Sequence, residues 1–161
     1  MAQTTITNEM PEAQLGLIAD SAVNDIITLY ADEDIPVGRG VRIKGGTEDV
    51  CILPTGQGIL IQGVAALQDG IEQDENGVVK YADKSPVNVL HRGRIWVWVT
   101  EAVTQQNNVY CVSDTAGGEA LGQFRSDNTN ATLVKNAVYL TATSGAGLAL
   151  IEIYPEYPVA Q

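Results

Sequence analysis

At 161 residues, 45% of them hydrophobic and 18% charged, the chain has the size and composition of one globular domain and not of a disordered segment. Nine Lys and Arg against twenty Asp and Glu leave a formal charge of −11, which would repel a phosphate backbone and argues against nucleic acid as a partner. No stretch approaches the ~20 apolar residues of a membrane span, and the start, MAQTTITNEMPEAQ, lacks the basic and apolar regions of a secretory signal, so a soluble protein made in the cytoplasm and needing no membrane is expected.

Residues 1 to about 16 show no sustained period and contain Pro11 and Gly16, the pattern of an extended arm. The predicted organisation is an N-terminal arm over 1–18, a β-rich body over 19–154 and a C-terminal tail over 155–161. Glu9, Glu12, Asp20, Asp25, Asp32, Glu33 and Asp34 all precede the first cation, Arg39. They read as a solvated acidic surface, with docking onto a basic partner as the sharper alternative. Between 20 and 30 the apolar positions fit a helical face, yet the β-branched run Ile26-Ile27-Thr28 favours a strand.

From there on, short β-rich runs separated by Gly, Pro, Asn and Asp recur every ~8–12 residues, the pattern of an all-β sandwich or barrel. About ten strands are predicted, over 26–30, 40–44, 50–53, 58–64, 78–81, 87–90, 94–100, 109–113, 120–124, 138–143 and 148–154. Asn76-Gly77 predicts a type I′ hairpin tip, and Ser144-Gly145-Ala146-Gly147 predicts a terminal hairpin between 137–143 and 148–154. Cys51 and Cys111 sit in apolar strand-like runs and read as buried thiols, a disulfide between them being the alternative.

The residues that could carry chemistry do not assemble into a reaction centre. His91 is the single histidine, no Gly-x-Ser-x-Gly elbow is present, and two isolated cysteines make no metal cage. Gly38-Arg39-Gly40 and Thr55-Gly56-Gln57-Gly58 resemble pieces of phosphate-binding loops, but neither continues as such a loop must, and both read as turns or bulges. Neither a cofactor, a metal nor an enzymatic activity is expected. The run Arg94-Ile95-Trp96-Val97-Trp98-Val99-Thr100 places Ile95, Val97 and Val99 on one face of a strand and Trp96 and Trp98 on the other. Either this strand is buried on both sides, or the tryptophans meet another subunit, with Tyr154 and Tyr157 joining that surface.

Leu15-Gly16-Leu17-Ile18-Ala19-Asp20, Ile35-Pro36-Val37-Gly38-Arg39-Gly40-Val41, Gly63-Val64-Ala65, the 87–99 block with Gly93 and Trp96-Val97, and Gly147-Leu148-Ala149 resemble, in this order, the structural cement or capsid decoration proteins of tailed bacteriophages. The chain departs from the familiar members at Val37, where they carry a more aromatic residue, and in the acidic 32–34 run. The resemblance implies a β-domain on the outer surface of the phage head, made in the bacterial host cytoplasm. Such a domain binds the major capsid protein and glues neighbouring capsid subunits; it is usually a homotrimer, sometimes a dimer. On that reading Leu15, Leu17 and Ile18 of the arm are the expected capsid contacts, and Trp96 and Trp98 the expected subunit contacts. A carbohydrate- or receptor-binding head fibre domain is the alternative function, and a hydrolase on a β-scaffold a third.

Overall fold

In the computed structural model, which describes residues 13–19, 23–71 and 73–154, the strands are β1 (Asp25–Ala31), β2 (Ile35–Pro36), β3 (Gly40–Ile43), β4 (Val50–Ile52), β5 (Gly63–Ala65), β6 (Lys80–Tyr81), β7 (Pro86–Val99), β8 (Asn108–Val112), β9 (Phe124–Arg125), β10 (Ala131–Tyr139) and β11 (Gly147–Ile153). The one helical element among the described residues is a single 3-10 turn, Thr115–Gly117. The chain is therefore an all-β single domain, as the spacing of its β-rich runs predicts.

β7 organises the rest. The large sheet runs β1-β4-β3-β5-β7-β11-β10-β8-β9, and two further pairings, β1 with β7 and β7 with β9, close it into two rings that share β7 as a wall. The first half of β7 pairs antiparallel with β1, from Tyr30 opposite Pro86 to Ile26 opposite Leu90. Asp25 then stands opposite Arg92, so His91 is one extra residue on β7, a β-bulge. Gly93 follows at φ 132, and a Cβ there would collide with the Asn24 side chain. Only glycine fits that turn of the backbone. Beyond it β7 pairs with β11, from Gly93 opposite Ile153 to Val99 opposite Gly147.

The bulge explains how one strand serves two cores. Val87 and Val89 face the first core, with Leu29, Ala31, Val41, Cys51 and Ala65. Leu90 points the other way, into the second core, where Ile95, Val97 and Val99 join Val109, Cys111, Phe124, Tyr139 and Ile151. All six of these β7 side chains are fully buried. Each contributes about 1.5–3 kcal/mol relative to exposure. The predicted strands 87–90 and 94–100 are thus halves of one strand, interrupted in the sequence pattern by the bulge and Gly93.

Other boundaries moved for local reasons. Of the predicted 58–64 strand only β5 pairs; Gly56 and Gly58 take positive φ, and Leu60 is 66% exposed. The predicted 120–124 strand shrinks to β9 because Gly122, at φ 83, turns the backbone against Gly40. The Asn76-Gly77 tip is a hairpin turn, but not type I′: Gly77 alone has positive φ, its N–H donates to Asp74 O, and Asp74 N–H donates to Val78 O. This is the three-residue loop with a glycine bulge. The terminal hairpin forms, Ala137 opposite Ile153 and Tyr139 opposite Ile151, but its first strand ends at Tyr139 and not at 143, so its connection is longer than the expected turn over 144–147.

The acidic 32–34 run is not simply solvated. Asp32 is held by Lys44 and Lys84, Asp34 pairs with Lys80 at 2.9 Å, and Glu33 Oε1 accepts the Leu53 N–H at 2.7 Å. The run fastens the β1–β2 turn to three other segments. Lys44 and Lys84, as hydrogen-bond donors, lower the Asp32 carboxyl from 3.8 to about 2. A depressed folded-state value means that the stabilisation is complete above the ordinary carboxylate range and is lost as pH falls through about 2. Asp32→Asn should therefore unfold at a lower temperature than wild type at pH 7, with the two midpoints converging as thermal scans are carried down towards pH 2. A gap that persists there would contradict the assignment.

Candidate interaction surface

Outward-facing apolar groups gather on the second half of β7 and its neighbour β11. Alternation along β7 and its register with β11 put Trp96 opposite Leu150, Trp98 opposite Leu148 and Arg94 opposite Glu152. All six lie on the face opposite the buried Ile95, Val97 and Val99. Trp98 is 39% exposed and Trp96 half-buried. On β10 the exposed Val138 stands opposite Glu152, extending the patch by a third strand. Tyr154, the residue after β11, is also exposed, and the pKa of its hydroxyl is raised first by burial and then by the neighbouring Glu152 carboxylate. Arg94 Nε and Glu152 Oε2, 3.5 Å apart, put a charged pair among these apolar groups.

Trp96 and Trp98 thus share one face, with Tyr154 near Glu152 and Arg94 of that face, whereas Tyr157 lies outside the described residues. Leu148, Leu150 and Val138 were missed. They join the face through the register of β11 with β7 and of β10 with β11, which the sequence does not display.

The described part of the arm is stitched to the same strand. Gly16 N–H donates to Trp96 O at 2.8 Å, Trp96 N–H to Leu17 O at 3.0 Å and Ala19 N–H to Arg94 O at 3.0 Å, with Ile18 opposite Ile95. Residues 16–19 are therefore hydrogen-bonded to β7 through a single bridge, preceded by the turn that Leu17 N–H closes on Gln14 O. Ile18 packs on the second core, and Leu15 sits over Gly38 in a groove with Pro36, Val37, Leu67 and Val79. Alternation leaves Leu17 on the outer side, beside Trp96. Residues 1–12 lie outside the described residues.

Two glycines make this approach possible. Gly16 at φ 76 and Gly38 at φ 79 stand back to back: a Cβ on Gly16 would strike Val37 Cγ1, and one on Gly38 would strike Leu15. Gly16→Ala adds left-handed backbone strain to overpacking and is expected to cost about 2–4 kcal/mol, read as a lowered urea midpoint. An unchanged midpoint would show that the segment is not held as described.

The reactive side chains are placed as structural groups. Cys51 and Cys111 are free and buried in different cores. Burial raises the Cys51 thiol to about 11 and the Cys111 thiol further, so both stay protonated at neutral pH. The His91 Nδ1 lies 2.8 Å from Gln62 O, at the bulge. Arg125 is ringed by Glu119 at 2.6 Å, Asp127 at 2.9 Å and Glu101 at 3.5 Å. Burial opposes its charge, and the three carboxylates outweigh that and hold it protonated. No group of three or more His, Cys, Asp or Glu among the described residues is arranged to hold a metal ion.

The family model described as structural cement protein, from phages, matches residues 2–154. A chain of the solved structure entitled "The capsid of Myoviridae Phage XM1" superposes with a TM-score of 0.71 at 19% identity, covering 94% of this chain and 96% of that one, a likeness of fold. No curated protein matches the chain.

Proposed function

Since the chain belongs to the phage structural cement protein family, with a structural role in the capsid and a place in the virion, we propose that it binds the outer surface of the head and stabilises contacts between major capsid protein subunits. The observation that carries the assembly side of this reading is the outer face of Trp96, Trp98, Leu148, Leu150 and Val138, apolar apart from the Arg94–Glu152 pair, on a double-ring body. Exposed apolar patches of this kind mark association surfaces, and aromatic side chains are their usual anchors. We assign that face to self-association, as a trimer, with Tyr154 at its margin. Leu17 beside it is assigned to the capsid, with Leu15 and Ile18 anchoring the arm that presents it. Many copies on a lattice of fixed spacing convert weak single contacts into high avidity.

Leu17→Asp keeps the backbone bonds to β7 and alters only the outward side chain. It is expected to leave the thermal midpoint near wild type while weakening co-sedimentation with heads by about tenfold or more, the effect of burying an unpaired charge at a contact. Undiminished decoration by this variant would remove the arm from the docking surface. Removing residues 1–12 then tests the remainder of the arm: head binding should fall further while the body stays folded.

A further inference from the structure

β1 is paired along its whole length with β7, but its other edge meets β4 only at Tyr30 and Ala31. The Tyr30 N–H donates to Asp49 O at 2.7 Å and the Asp32 N–H to Cys51 O at 3.1 Å, so even-numbered residues turn their backbone groups away from β7. Ala31, odd-numbered, donates the other way, to Ser85 O. By the same alternation Ile26 and Thr28 aim their N–H and C=O groups at the open edge. Asn88, opposite Thr28, agrees with this assignment, since its C=O accepts from Ala66 on the far side of β7. Among the described residues no strand covers β1 upstream of Tyr30.

Such an edge is normally blunted by proline, lysine, a bulge or a covering loop. Here it carries none of the first two over 25–29, and its outward side chains are Ile26 at 45% and Tyr30 at 51% exposure, with the exposed Thr28 between them. Its charge is of one sign. Asp25 stands exposed at one end and Glu48 and Asp49 at the other, while the lysines near the Tyr30 end, Lys44 and Lys84, are engaged by Asp32. Arg92 lies opposite Asp25, on the β7 side. A second copy adding antiparallel to this edge would bring Asp25 of each chain towards Glu48 and Asp49 of the other, a like-charge arrangement that costs stability. A basic strand would meet complementary charge at both ends.

We propose that the open edge of β1 is a strand-addition site for an extended, Lys- or Arg-bearing segment of the capsid shell, bonded through the backbone groups of Ile26 and Thr28. This rests on the capsid reading above and names the chemistry of the contact. Backbone bonds would supply affinity, with Ile26, Tyr30 and the flanking acids supplying register.

The test is hydrogen exchange of the full chain, free and bound to expanded heads of its virus, together with head binding by the double variant Glu48→Lys, Asp49→Lys. The expected result is slowed exchange in the peptide covering 25–30 on binding, and binding by the double variant about tenfold or more weaker, the effect of reversing two complementary charges. Binding to heads without added protection at 25–30 would overturn the site while leaving the cement role standing. Protection that grows with concentration in the free protein would show a second copy on this edge and overturn the proposal. No binding to heads would overturn the capsid reading, and this one with it.

Discussion

Trp98→Ala is expected to weaken self-association by about 2–4 kcal/mol, on the order of 30-fold or more, while leaving the monomer folded. The reason is positional. Trp98 is 39% exposed on the outer face, opposite Leu148, whereas the side chains that alternate with it, Val97 and Val99, are fully buried. Truncating an exposed indole removes contact area from a partner and little from the fold. Trp96 is half-buried between Leu150 and the arm, so Trp96→Ala should lower both association and unfolding free energy. Sedimentation of the two variants beside urea unfolding separates the effects. An unchanged oligomer with a destabilised fold for Trp98→Ala would assign the indole to packing.

The largest loss of stability is expected from Phe124→Ala, about 3–5 kcal/mol out of a typical total of about 5–15 kcal/mol. Phe124 is the only phenylalanine in the chain and is fully buried in the second core. Its strand, β9, closes the second ring, being paired to Val99 on one side and to Cys111 on the other. The ring edge also reaches β3, since a Cβ on Gly40 would lie 3.5 Å from Phe124 Cζ. Truncation therefore opens a cavity between β9 and its neighbours β7, β8 and β3. Urea unfolding followed by tryptophan fluorescence reads the loss directly. A decrease below about 1 kcal/mol would show that the ring is closed by the backbone alone.

The all-β class and most strands were legible because period-2 alternation survives wherever one face is buried, as in β7, β8 and β11. The two-ring topology was not. It depends on His91 as an inserted residue and Gly93 at φ 132, which in the sequence merely interrupt a strand. The first part of β10 was missed for a similar reason: Lys135-Asn136 breaks the apolar pattern where Asn136 takes φ 62 and the register with β8 shifts. The outer face was half legible. Trp96 and Trp98 declared it, but Leu148, Leu150 and Val138 join it only through cross-strand register, which no local pattern specifies. The arm looked separable because a segment of five or six residues carries no period of its own. Its docking is dictated by glycines at 16 and 38 that allow two backbones to touch.

Co-sedimentation of the purified chain with expanded and unexpanded heads of its own virus, counting bound copies per head, tests the proposed cement role most directly. Saturation at a number set by the lattice, with tighter binding to expanded heads, is the predicted result. An absence of binding to both forms would contradict the account.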